Sequence, residues 1–139
     1  MLLTLHLLAV GCWIGVVGAE FFIEIPAMKD EEALKTASHI HFATDRWIEI
    51  PAFTTVLITG LLMMNESHAS GPFLYKIIFG ILAVGFNLLS VYAVVKRRNY
   101  LLKDDVKGMD SVLPMKRISA LVIPCFLIAL ALGTYSAAT

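Results

Sequence analysis

The chain has 139 residues, 58% of them hydrophobic and 16% charged, with a formal net charge of +0, and its mean hydropathy is +0.79. That is far more apolar than a soluble domain of this length, and nothing in the charge pattern points to nucleic acid. Lipid is the natural solvent, and the sequence reads as one all-α domain over residues 1–139: an integral membrane four-helix bundle.

The first span covers residues 2–23. It begins without a basic leader and has bulky residues where a cleavage site would need small ones, so it is expected to be retained. His6, Val10, Trp13, Val17, Glu20 and Glu24 recur at steps of three and four and share one face. Gly11, Gly15 and Gly18 lie on roughly the opposite face, where small residues let another helix approach closely. That helix belongs either to this chain or to a partner, in a homo-oligomer or a larger membrane complex.

In the connection that follows, Asp30, Glu31 and Glu32 precede Ala33, Leu34 and Lys35 as acids do in a first helical turn. The spacing predicts a helix over about residues 33–64 that begins outside the bilayer and is kinked at Pro51. On it His41, Asp45 and Glu49 recur at every fourth position. Antiparallel pairing with the first span brings them to the depth of Glu20 and Glu24. Imidazole and carboxylates at one depth suit a transition-metal ion or a proton relay. The plainer alternative is that these side chains are solvated at the rim or paired with Arg46 and Lys29, since neither HExxH nor ExxH spacing occurs. The sequence Ile-Glu-Ile-Pro-Ala is found at both 23–27 and 48–52, too short an echo to argue duplication.

Residues 65–72 form a polar turn rich in helix breakers. The third span, residues 73–95, carries Lys76, Gly80, Ala83, Asn87 and Ser90 on one narrow face. Lys76 either snorkels outward or faces an anion, such as a heme propionate or an anionic substrate. The charged connection 96–117 is expected to serve topology alone, and residues 118–138 form the fourth span. Cys12 and Cys125 both fall within spans, where they are read as small apolar packers. Ten of the eleven Lys and Arg residues fall in the two connections 24–46 and 96–117. The positive-inside tendency puts both connections in the cytoplasm and both termini in the periplasm, in a bacterial inner membrane.

The outer rim then gathers His6, Met63, Met64, His68 and Lys76. Imidazole ligates heme iron, and imidazole with thioether suits either heme or copper. Residues 6–15, His-Leu-Leu-Ala-Val-Gly-Cys-Trp-Ile-Gly, resemble the first helix of the superfamily that contains copper resistance protein D and the HemJ-type protoporphyrinogen oxidases. Thr59-Gly60-Leu61-Leu62 resembles the end of its second helix, and Leu74-Tyr75-Lys76-Ile77-Ile78 its lysine-bearing third. The resemblance implies a heme b ligand at His6 and a catalytic role for Lys76. The expectation is therefore a small heme-b protein with an electron-transfer or oxidoreductase role, using His6, His68 and Lys76. The alternatives are copper or other transition-metal handling at the outer rim through His6, Met63, Met64 and His68; a metal or proton site at Glu20, Glu24, His41, Asp45 and Glu49; and a structural subunit of a larger complex.

Overall fold

The computed structural model describes residues 1–64, 71–103, 105, 108 and 111–138, and among these it is all helical. The elements are α1 (Leu2–Ala27), α2 (Glu31–Thr44), a π-helical turn (Asp45–Glu49), α3 (Ile50–Leu62), α4 (Pro72–Leu101), α5 (Leu113–Ser119) and α6 (Val122–Ala138). Three stretches are long and apolar enough to cross a bilayer: Leu2–Ala27, Phe73–Leu101 and Pro114–Tyr135. The chain is a membrane protein.

Local chemistry sets the breaks. Asp30 caps α2, its carboxylate accepting the Glu32 N–H at 3.0 Å, and Glu31 and Glu32 follow where the helix dipole favours acids. The predicted long helix runs from α2 through the π-helical turn into α3, with Pro51 in the first turn of α3. The irregularity lies one turn earlier, where the Ile50 N–H reaches back five residues to the Asp45 carbonyl. Pro51 has no N–H for the Trp47 carbonyl, so the ladder is already incomplete at this point, and the wider turn absorbs the gap. Pro124 acts similarly between α5 and α6: it cannot serve the Ala120 carbonyl, which takes the Ile123 N–H at 3.3 Å instead.

α1 packs on α3, α4 on α6, and α2 lies against the basic end of α4. At the centre Trp13 meets Phe126 edge-on with ring centroids 5.6 Å apart, and Phe53 at 6.1 Å. Ala52 and Ala83 are small enough to bring the helices in around these rings, and Val84, Val122 and Cys125 complete the cluster. Without a hydrophobic drive between helices in lipid, this close packing of rings and small residues holds the bundle. The Gly11, Gly15 and Gly18 face is different: no described residue of the chain lies within 4 Å of where a Cβ would sit. Among the described residues, no helix packs closely on that stripe.

Candidate functional site

The polar stripe of α1 does turn inward, with Glu20 only 6% exposed. It meets the inward face of α2 and the π turn, where His41, Asp45 and Glu49 are all buried. The π turn holds Asp45 and Glu49 on the same inward side as His41. One ligating atom from each of Glu20, His41, Asp45 and Glu49 lies within 4.8 Å of the others.

His41 is the hub. Its Nδ1 is 2.8 Å from Glu24 Oε1 and its Nε2 is 3.1 Å from Glu20 Oε2. Asp45 Oδ1 stands 3.6 Å from the same Nε2, beyond hydrogen-bond range. Burial disfavours the imidazolium, but hydrogen bonds from both ring nitrogens to Glu20 and Glu24, and the charges of Glu20 and Asp45, outweigh it and push His41 up to about 9. The Asp45 carboxyl is also raised, first by burial, with Glu20 and Glu24 adding repulsion.

Glu24 has a separate role. Arg97 Nη2 donates to its Oε1 and Lys116 Nζ to its Oε2. Both oxygens are taken, so Glu24 orients the imidazole rather than acting as a ligand, in the way a carboxylate backs a metal-bound histidine. The alternative pairing with Lys29 and Arg46 is not what forms: Arg46 instead stacks over Trp47, 5.7 Å from its centroid. The cations come from α4 and α5, where the sequence pointed only to a topological role. Thr44 also escaped notice; its hydroxyl donates to Glu20 Oε1 and fixes that carboxylate from α2.

Asp45 is 2% exposed, yet neither of its carboxylate oxygens has a hydrogen-bond partner among the described residues. Asn87 of α4 faces Glu49, and its Nδ2 is likewise buried without a partner. Both groups lie against Glu49, so the polar centre of the bundle is completed by a proton shared between the two carboxyls or by a cation among them.

The outer rim is less gathered. His6 Nδ1 lies 2.8 Å from Thr59 Oγ1, and the ring lies over Gly60. Lys76 is within electrostatic reach of His6, packs against Gly133 and sits 4.8 Å over the Phe73 ring. Met63 is half-buried and Met64 exposed. His68 lies outside the described residues. Compared with known proteins, the chain matches no family model, no curated protein and no solved structure.

Proposed function

We propose that the chain is a four-crossing membrane protein that binds one divalent transition-metal ion between its first and second spans and serves in handling that metal. The observation that carries this reading is the orphaned Asp45 carboxylate, buried within a set of donors that already includes Glu20, Glu49 and the Nε2 of His41. Three buried ligand carboxylates face a single imidazole, and buried charge needs compensation. A divalent cation supplies it, with His41 shedding its Nε2 proton and keeping Nδ1–H on Glu24. Four tetrahedral donors about 2.1 Å from a common ion stand about 3.4 Å apart, so the widest pair, now within 4.8 Å, draws in by up to about 1.4 Å. Three oxygens, one imidazole nitrogen and no sulfur favour manganese, iron or zinc over cuprous copper. The basic connections put this site at the cytoplasmic end, in an inner membrane, with both termini periplasmic.

Metal analysis of the detergent-purified chain, loaded with manganese, iron or zinc and then desalted, tests the reading. One equivalent of one of these ions is expected, with binding about 100-fold weaker in Asp45→Asn. Metal content equal in the two proteins would sink it.

A second reading, heme b at His6 with an electron-transfer or oxidoreductase role, is favoured by one contact. The Thr59 hydroxyl lies 2.6 Å from the Thr55 carbonyl, to which it donates, so it accepts from His6 Nδ1. That leaves the lone pair on Nε2, the form in which imidazole ligates iron. Lys76 then stands as counter-charge to a propionate. Reduced and oxidised visible spectra should show a Soret band that His6→Ala abolishes, and a colourless protein from heme-replete cells removes this reading.

A further inference from the structure

At the basic end of the bundle, away from the four clustered ligands, α2 and α4 enclose a pocket of about 60 Å³ lined by Lys35, Ser38, His39, Arg98, Leu101 and Leu102. Its polar side comes mostly from α2, one turn and more before His41, and from the last turn of α4. Its apolar side is the pair of leucines at the end of α4.

Two groups in its wall lack partners. Ser38 is 1% exposed, and its hydroxyl has no hydrogen-bond partner among the described residues. The Arg98 Nε is buried and equally unmatched. The guanidinium is held in place by stacking, 4.3 Å from the Phe42 ring centroid, which orients a planar fork without using its donors. Lys35 meets Glu31 at 3.0 Å, an exposed pair one helical turn apart, and such a pair is weak enough to exchange for a better anion. A hydroxyl, a guanidinium and an ammonium around one hollow are the donors a phosphate group requires.

The depth identifies the source. The apolar run of α4 gives way to Lys96, Arg97 and Arg98, so the basic wall of the pocket stands at headgroup depth, with Leu101 and Leu102 on its aqueous side. We propose that this pocket binds the phosphate of an anionic phospholipid headgroup, with Arg98, Lys35 and Ser38 on the phosphate and Leu101 and Leu102 closing the hollow on its aqueous side.

The site shares no ligand with the metal cluster, so either proposal can fail without the other. Native mass spectrometry of the full chain, released from detergent after titration with phosphatidylglycerol, diacylglycerol or inorganic phosphate, tests it. Phosphatidylglycerol is expected to be retained and diacylglycerol not, with Lys35→Gln/Arg98→Gln weakening retention about 30-fold, the effect of two juxtamembrane charges. Lys35→Gln alone, at a half-exposed residue, should weaken it about fivefold. Inorganic phosphate bound as tightly as the lipid, and lost in the same variants, sustains the phosphate site and gives it a soluble source. Equal retention of diacylglycerol, or undiminished retention of phosphatidylglycerol in both variants, overturns the proposal. Metal content measured on the same samples should be unchanged.

Discussion

His41→Ala should cost about 3–5 kcal/mol of stability, because removing one partner of a buried charge network strands the others. Glu20 loses its Nε2 contact and Glu24 its Nδ1 contact, while Asp45 loses its nearest positive neighbour. Urea or detergent titration in micelles, followed by circular dichroism, reads the loss as a shifted midpoint at unchanged slope. The pH dependence separates this from ordinary loss of packing. A histidine held at about 9 against an ordinary 6.5 gives stability that is complete below about pH 6.5 and is lost as pH rises through 9. The raised Asp45 carboxyl acts in the same sense, since the folded chain holds its proton to higher pH than the unfolded chain. With chelator present, the intact chain should therefore weaken as pH rises from 6.5 to 9, and the alanine variant should lose the imidazole's share of that slope while keeping the share of the buried carboxyl. A variant that keeps the full slope would show that His41 is not the group titrating.

Arg97→Met should be the next most damaging change, at about 3 kcal/mol. The Arg97 side chain is only 7% exposed and donates to Glu24. Lys116 and His41 stay behind to hold that carboxylate, which is why the effect stops short of complete unfolding. Adding Glu24→Gln should recover at least about 1 kcal/mol against the sum of the single variants, the signature of a coupled pair. The same change reaches the metal. Glu24 fixes the imidazole, and loosening such a backing carboxylate typically weakens metal binding about 10-fold or more. Stability and affinity falling together would show that the basic end of α4 is part of the site, and a neutral result in both would reduce Arg97 to a surface cation.

The clustering of these side chains was legible in the sequence because helical periodicity is a local signal. His41, Asp45 and Glu49 fall four apart, and antiparallel pairing across one short connection suffices to set them against Glu20 and Glu24. The cations that complete the network were not legible. Arg97 and Lys116 stand 73 and 92 residues from Glu24 along the chain, and no spacing rule reaches that far. The same pairing explains why the span ends were drawn short. The apolar spans end just before Glu24 and Lys96, at residues 23 and 95, yet α1 runs on to Ala27 and α4 to Leu101. Glu24 and Arg97 neutralise each other inside the bundle, so neither has to end its helix. Asn87 belongs to the narrow small and polar face of the third span and is buried, but its meeting with Glu49 depends on how α4 packs against α3 and the π turn, which the stripe alone does not fix.

The wide turn at Asp45–Glu49 differs from an ordinary helix by a single inserted residue. Removing one residue there would restore an unbroken α-helix and rotate everything before it by about 100°, swinging His41 away from Glu20 while Phe53 stayed against Trp13. One codon thus separates a plain helical hairpin from one that gathers four ligands, so a lineage can gain or lose this chemistry without rebuilding its bundle.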